Sequence, residues 1–292
     1  MAASVRSHDT RRTATLAIRE SAMDGSIRVR RLALSHGSVT DDLTPAAHLT
    51  QAEHRVRFEW GPMGLRTLAP TVDVVIVVDV LSFTTCVDVA LGRGAEVFPY
   101  KWHDGSEAAF AESIDAVVAG PRGGPQQYSL SPASLETISA GTRLVLPSPN
   151  GSALLAGAAD AGATTVVAAC LRNGAAVGAW FADRDVSVAV IAGGERWKGA
   201  TGPMRVAVED LWGAGSVLSL FEPDDLSPEA RVAASAWRVV ESSIVDELQA
   251  STSGRELIRA DHPADVLLAG AAHVSELVPA LVDDRFVDLV TS

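Results

Sequence analysis

The clearest pattern in the chain is an apolar, β-branched run from Val74 to Val80, which only Asp79 interrupts. Such a run predicts a strand that is buried on both faces of a sheet. A helix is predicted to follow over Thr84–Arg93 and to end at Gly94, and the next strand is predicted at Ala95–Tyr100. The order of strand, helix and strand is typical of a parallel sheet covered by helices.

The same rhythm continues along the chain. Further strands are predicted at Val56–Gly61, Asp115–Ala119, Arg143–Leu146, Thr165–Ala169 and Val186–Ala192. Further helices are predicted at Ser106–Ser113, Ser152–Ala161, Gly174–Asp183, Val206–Leu220, Pro228–Gln249 and Gly254–Ala260. Two Gly-rich segments, 120–134 and 193–205, are predicted to be loops. The fold class predicted is a three-layer α/β fold with a helix-covered, mainly parallel (mixed) sheet.

Two stretches, about 72–120 and 141–192, share one register. At an offset of 68 residues, Gly94 falls on Gly162 and Thr84 falls on Ser152. The spacing indicates an internal duplication of a strand–turn–helix–strand unit, although any two such units look partly alike. In either case, two polar helix starts are expected at the carboxyl side of a sheet, where ligands bind in open α/β folds.

Composition and charge limit the function classes. The chain has 292 residues and a formal net charge of −12, which disfavours nucleic acid and anionic membranes as partners. Residues 1–50 are rich in arginine and are expected to be a poorly ordered extension to a domain over 51–292. Two cysteines and no apolar stretch of about 20 residues favour a cytoplasmic protein. The sequence leaves open whether it forms a homo-oligomer.

The first polar cluster follows the strand at Val74–Val80. Asp79 offers a hard oxygen ligand for a metal, and Ser82, Thr84 and Thr85 offer hydroxyls where the first N–H groups of a helix are free to bind a phosphate. The alternative is that Asp79 is a turn residue and Thr84 an N-cap.

A second cluster lies in the loop 120–134. Arg122 stands beside Gly123, so the backbone can approach an oxyanion while the guanidinium grips it, and Ser131 follows nearby. The alternative is an ordinary Gly-rich surface turn.

Asn150, Gly151 and Ser152 form a third cluster, at another helix start. Such a start can bind anions through its free N–H groups, although simple capping of the helix is the commoner role of these residue types taken alone.

Carboxylates form the fourth cluster. Glu209 and Asp210 are adjacent in a predicted helix and therefore point about 100° apart, so that one can meet a ligand while the other supports a loop. Glu195 follows a predicted strand and is a further candidate oxygen ligand. The remaining candidates are Arg172, Asn173 and Arg255.

Taken in order, these segments resemble one family, the magnesium-dependent 2-phosphosulfolactate phosphatases (the ComB family) of coenzyme M biosynthesis. The matching segments are Asp79–Thr85, Gly120–Gly124, Ser131–Pro132, Asn150–Ser152, Arg172–Asn173, Glu209–Gly215 and Ser253–Leu257, with Asp265 and Val278–Pro279 after them. The resemblance implies an α/β phosphomonoester hydrolase that uses Mg²⁺ on a small, doubly anionic phosphoester and releases sulfolactate and phosphate.

Site roles follow from the resemblance. Asp79 and Glu209 are expected to bind the metal, with Glu195 as a further ligand. Alternatively, Asp79, Glu209 and Asp210 position the water that attacks the phosphorus. Direct attack by the Asp79 carboxylate on the phosphorus is the other possible mechanism. The expected oxyanion-binding residues are Ser82, Thr84, Thr85, Arg122, Gly123, Ser131, Asn150, Gly151 and Ser152, and Arg172, Asn173 and Arg255 are expected at the substrate's carboxylate or sulfonate.

This sequence departs from the family pattern at three places. Ser82 stands where the family has an arginine, Pro121 where it has a glutamate, and Ser129–Leu130 where it has Gly-Asn. The loop 197–204 is also longer than in the family. These changes leave two alternatives open: a phosphatase of this type with a different small substrate, or a non-catalytic member that only binds anions.

Overall fold

A computed structural model describes residues 46–101, 105–148, 150–161, 163–197 and 202–291. Most of the predicted N-terminal extension therefore lies outside the described residues. Only its end is included, as a short 3₁₀ turn at Ala47–Thr50.

Strands and helices alternate over most of this part of the chain. The strands are β1 (Val56–Trp60), β2 (Val74–Val78), β3 (Glu96–Lys101), β4 (Val117–Val118), β5 (Arg143–Ser148), β6 (Thr165–Ala169), β7 (Val188–Ala192), β8 (Glu195–Arg196), β9 (Met204–Arg205), β10 (Pro279–Val282) and β11 (Arg285–Asp288). The helices are α1 (Gly61–Leu68), α2 (Phe83–Gly92), α3 (Glu107–Ser113), α4 (Pro132–Leu135), α5 (Gly151–Asp160), α6 (Gly174–Ala182), α7 (Val208–Leu218), α8 (Pro228–Val240), α9 (Ile244–Ala250), α10 (Thr252–Arg259) and α11 (Pro263–Gly270).

Nine strands form one sheet in the order β1-β7-β2-β6-β10-β11-β3-β5-β4. The first four are parallel to one another, and so are the last three. The antiparallel hairpin β10–β11 joins these two halves, and each join is a single antiparallel residue pair, Ala280 with Val167 and Phe286 with Val97. The prediction of a mixed, mainly parallel, helix-covered sheet is confirmed.

The apolar pattern of the strands explains the layering. Every residue of β2 is buried, because its alternate side chains enter two different clusters on the two faces of the sheet. Val74, Ile76 and Val78 pack on the face that α7 and α8 cover, whereas Val75 and Val77 pack on the face that α2 and α5 cover. Burial on both sides is what a continuous β-branched run requires.

The two predicted repeat units exchange strands. In the first unit β2 leads through α2 to β3, and in the second β5 leads through α5 to β6. The first strand of each unit pairs in parallel with the second strand of the other, β2 with β6 and β3 with β5. This reciprocal pairing is what an approximate twofold relation between two copies would produce, and it favours the duplication hypothesis.

The predicted elements were wrong in several places, and each has a local reason. Helix α1 was not predicted; it begins at Gly61, where the predicted strand was to end, and has Pro62 in its first turn. The helix predicted over 228–249 breaks at a 3₁₀ turn, Glu241–Ser243. Strands β10 and β11 and helix α11 were not predicted, since short elements carry little periodic signal. No helix in the described part of the chain is long and apolar enough to span a membrane.

Candidate active site

Asp79 lies at the centre of the site, directly after β2. Its side chain is buried, and its Oδ1 accepts a 3.4 Å hydrogen bond from the main-chain N–H of Phe83 in the first turn of α2. The N–H of Gly151, at the start of α5, donates to Ser148 Oγ at 3.2 Å and lies close enough to Asp79 to lower the pKa of its carboxyl group. The starts of two helices from the two repeat units therefore meet at Asp79, as the sequence predicts.

Gly151 is required for this close approach. A Cβ at this position would lie 2.9 Å from Asp79 Oδ2 and 2.3 Å from Cδ1 of Phe83. Real Cβ atoms do not approach other atoms so closely, so only glycine allows α5 to start against the carboxylate.

The hydroxyls of the helix starts are engaged by the main chain. Thr84 Oγ1 accepts from Asp79 N at 3.0 Å and donates to Asp79 O at 2.7 Å, and Thr85 Oγ1 donates to Val80 O at 2.7 Å. In the second unit, Ser152 Oγ accepts from Ser148 N at 3.2 Å and donates to Ser148 O at 2.5 Å. These three hydroxyls are predicted to bind phosphate, but in the structure each of them is hydrogen-bonded to the main chain of the turn before its helix.

Asp210 holds two loops together. Its Oδ1 accepts from Val80 N and its Oδ2 from Gly194 N, both at 2.8 Å, so it ties the segment after β2 to the segment after β7. Both of its oxygens are engaged, which suits a positioning role. This matches the expectation that one of the two adjacent acids supports a neighbouring loop.

Glu209 differs from its neighbour because part of its carboxylate has no partner. The side chain is 3% exposed, and among the described residues its Oε2 has no hydrogen-bond donor. Ser253 hydrogen-bonds to the carboxylate, and the guanidinium of Arg205 lies close enough to favour its charged form. An unpartnered buried carboxylate oxygen is a candidate ligand for a cation or a donor on a substrate.

The short hairpin β8–β9 closes one side of the site. Glu195 Oε1 accepts from Asn150 Nδ2 at 3.2 Å, while Arg196 Nε donates to Asn150 Oδ1 at 3.3 Å. A cavity of about 20 Å³ lies between the hairpin and α5, lined in part by Gly193 and Met204. It has room for about one water molecule.

Burial and like charges make the site a poor place for further negative charge. Burial and the Glu195 carboxylate raise the pKa of Asp79 to about 7. Burial raises the pKa of Glu209, with Glu195 adding to the effect, and burial together with the Asp79 and Glu209 carboxylates raises the pKa of Asp210 far above its usual range. Four carboxyl groups therefore share one electrostatic environment.

Arg122 brings positive charge to the same region. Its Nε donates to Asp265 Oδ2 at 2.9 Å, and its Nη2 donates to the hydroxyl of Ser82. Asp265 is buried and also accepts from Ser131 Oγ at 2.5 Å, so the Gly-rich loop is fastened to α11. The Arg122 charge favours the ionised form of Asp79 and lowers its pKa, against the larger effect of burial.

Gly123, the other candidate in this loop, occupies a position that favours glycine. Its φ is +71°, and a Cβ there would meet no atom within 4 Å. The loop is therefore open on this side of Arg122.

Three predicted residues lie elsewhere. Arg172 is paired with Asp88 at 2.7 Å and lines a separate cavity. The Asn173 amide is used within the fold, since it accepts from Cys170 N and donates to main-chain carbonyls. Arg255 is exposed on α10. In this structure these three side chains do not face the group around Asp79, so their assignment to the substrate's second anionic group is not supported. Their positions in the sequence did not indicate the direction in which each side chain points.

The predicted metal ligands are not gathered into a ready-made site. In the part of the chain that the structure describes, no group of three or more His, Cys, Asp or Glu side chains could hold a metal ion. The expected trio of Asp79, Glu195 and Glu209 is wrong in that form. Glu195 is turned towards Asn150, whereas Glu209 is held by Ser253.

Two functional side chains were missed by the sequence analysis. Arg205, on β9, donates to Ser253 Oγ at 3.1 Å, and its side chain is only 12% exposed. Ser253 in turn reaches Glu209. The only signal for Arg205 was its place at the end of the lengthened loop.

Comparison with known proteins now identifies the chain. The family model described as 2-phosphosulpholactate phosphatase matches residues 65–284. The chain is also similar to a protein named "Probable 2-phosphosulfolactate phosphatase" from Carboxydothermus hydrogenoformans, with 27% identity over 214 residues, or 70% of this chain and 84% of that protein. The motifs at Asp79, Arg122, Asn150 and Glu209 all lie inside the matched range. The chain belongs to the 2-phosphosulpholactate phosphatase family and, with it, to the phosphoric monoester hydrolases.

Proposed function

We propose that this chain is a Mg²⁺-dependent phosphatase that hydrolyses 2-phosphosulfolactate to sulfolactate and phosphate. The observation that carries the proposal is the buried Glu209 carboxylate, whose Oε2 has no partner among the described residues. It belongs to a group of acids in which Arg205 lies near Glu209 and Arg122 lies near Asp79. Family membership and the name of the relative support the substrate.

The charges of the site favour a cation together with the substrate. Asp79, Glu195, Glu209 and Asp210 would repel a phosphate monoester, and Arg122 is already paired with Asp265. Mg²⁺ prefers oxygen ligands and is often held by one or two carboxylates, with water and substrate phosphate completing its shell. The residues fit that pattern, with Glu209 and Asp79 as the protein ligands. When bound, the ion would neutralise charge on the phosphoryl oxygens.

Side chains of the protein are expected to bind and orient the phosphoryl group. Without a bound ion the pKa of Asp79 is about 7, and a cation at this carboxylate would lower that pKa and keep Asp79 ionised as an oxygen ligand. The guanidinium of Arg122 is oriented by Asp265 towards Ser82 at the start of α2, where it can meet a phosphoryl oxygen. Asp210 keeps the two loops in register.

The β8–β9 hairpin brings further positive charge beside Asn150. Arg196 and Arg205 on this hairpin can supply the positive charge for the second anionic group, which the family arginine replaced by Ser82 would otherwise provide.

The test is phosphate release from 2-phosphosulfolactate by the purified full chain, with Mg²⁺ and with EDTA. We expect turnover that EDTA abolishes and that Glu209→Gln reduces by about 10²-fold or more. Glu247→Gln, at an exposed acid on α9, is the matched control and should retain wild-type activity.

Substrate binding without turnover by the wild type would refute the enzymatic proposal. Equal turnover in EDTA would refute the role of the metal. Because Ser82 departs from the family pattern, 2-phospholactate and phosphoglycolate are assayed in parallel. A higher kcat/KM for either than for 2-phosphosulfolactate would refute the proposed substrate.

A further inference from the structure

A second cavity lies against the C-terminal half of α2. Its volume is about 380 Å³, and its walls come from α2, the segment after β6, α11 and residues 274–277. Four charged side chains line it, namely Asp88, Arg93, Glu136 and Arg172. It shares no lining residue with the small cavity beside Glu195.

The inner wall of this cavity is a buried ion pair. Arg172 Nε donates to Asp88 Oδ2 at 2.7 Å, and its Nη1 donates to the main-chain oxygen of Leu268 at 3.2 Å. Asp88 is 2% exposed, and its Oδ1 has no hydrogen-bond partner among the described residues. A buried carboxylate with an unused oxygen requires a donor from outside the described contacts.

The outer wall carries one charge of each sign. Arg93 and Glu136 are exposed, and neither side chain forms an ion pair or hydrogen bond with another described residue. Since Asp88 already compensates Arg172, the cavity has two positive and two negative groups and is close to neutral. An anion alone would add uncompensated negative charge, in a chain of net charge −12. A ligand with one charge of each sign complements the cavity better.

Aliphatic side chains form the rest of the lining, among them Val89, Leu268 and Leu277. We propose that this cavity binds a small zwitterion with an aliphatic tail, of the α-amino acid class. Its carboxylate meets Arg93 and the outward side of Arg172, its ammonium meets Glu136, and its tail packs on the leucines. The volume lies within the range of about 300–1,000 Å³ that is usual for small-molecule sites.

The site is separate from the proposed catalytic centre, and the inference does not rest on the proposed function. Asp88 lies six positions after Ser82, which corresponds to about 9 Å along a helix. The two sites still share supports, because α11 carries both Asp265, which holds Arg122, and Leu268. The zwitterion is therefore expected to bind alongside inorganic phosphate without competing for its site.

Isothermal titration of the full chain with L-leucine tests the proposal. The matched probes are 4-methylpentanoate, which lacks the ammonium group, and 3-methylbutylamine, which lacks the carboxylate. We expect L-leucine to bind, each probe to bind at least about 10-fold more weakly, and 10 mM inorganic phosphate to leave the leucine affinity unchanged. Arg93→Gln should weaken leucine binding by a similar factor, while Arg93→Lys should retain most of the affinity.

Several results would overturn the inference. They are no heat of binding at about 10 mM L-leucine, equal affinity for 4-methylpentanoate, or unchanged leucine binding in Arg93→Gln. Arg93 is exposed, so its variants are expected to fold. The double variant Asp88→Asn/Arg172→Gln removes both charges of the buried pair together, and unchanged leucine binding there would likewise overturn the assignment.

Discussion

Replacing Asp79 by asparagine should change how the stability of the protein depends on pH. The folded chain raises the pKa of this carboxyl from 3.8 to about 7, mainly because the group is buried. Since a tenfold change in an acid dissociation constant corresponds to about 1.4 kcal/mol, the rise of the Asp79 pKa from 3.8 to about 7 is worth about 4 kcal/mol. Asparagine has nearly the same shape and does not ionise, so the variant lacks this contribution.

The sign follows from which state holds the proton. Below about pH 4 Asp79 is protonated in both the folded and the unfolded chain, and its contribution to stability is fully present. Between pH 4 and pH 7 the unfolded chain ionises while the folded chain keeps its proton, so the stability falls as the pH rises. Above about pH 7 both states are ionised, and the loss reaches its full size.

Urea unfolding in EDTA from pH 4 to pH 8 measures the effect. The free energy of unfolding of the wild type, minus that of Asp79→Asn, should fall by about 4 kcal/mol across this range. Asp246→Asn, at an exposed position on α9, should give a curve parallel to that of the wild type. If the free energy of unfolding of Asp79→Asn follows that of the wild type at a constant difference from pH 4 to pH 8, within about 1 kcal/mol, the claim that burial raises the pKa of Asp79 is refuted.

Three further substitutions probe the supports of the site. Thr84→Val should lower the free energy of unfolding by about 1–3 kcal/mol, since two main-chain partners lose their bonds, and Thr84→Ser should recover most of it. Gly151→Ala should lower kcat by about 10²-fold by displacing the start of α5, whereas Gly92→Ala, with its nearest contact at 3.5 Å, should not. Arg122→Ala should lower the free energy of unfolding by about 3–5 kcal/mol, because Asp265 stays buried and loses its cation.

Each of these has a result that contradicts it. Denaturation curves of the threonine variants that overlay the wild type would show that the turn does not need its hydroxyl. Full turnover by Gly151→Ala would mean that the start of α5 can move away from Asp79 without loss of activity. Unchanged unfolding of the arginine variant would place its partner carboxylate in contact with water.

Much of the fold could be predicted because its signals are local. The β-branched run at β2 and the Gly-terminated helix after it define a strand–helix unit without any tertiary information. The hairpin β10–β11 could not be predicted in this way. Its strands are four residues each, and their place between β6 and β3 depends on contacts far along the chain.

The candidate site was predicted in its location and less well in its roles. Asp79, Gly151 and Arg122 meet as expected, since residues at strand ends and helix starts are placed by the fold itself. Thr84 was misjudged because a hydroxyl in this position serves a turn as readily as a ligand. Arg172 was misjudged because a long side chain can turn away from the sheet edge on which it starts, here towards Asp88.

The position of β10–β11 in the sheet has a consequence for synthesis on the ribosome. The hairpin follows every other strand of this sheet along the chain, yet it fills the gap between the two groups of parallel strands. Until Pro279–Asp288 has left the exit tunnel, the facing edges of β6 and β3 are without this neighbour and are open to pairing with other chains. The sheet can therefore close only after β11 has emerged from the ribosome, and a premature stop codon shortly before Pro279 should yield an aggregating product.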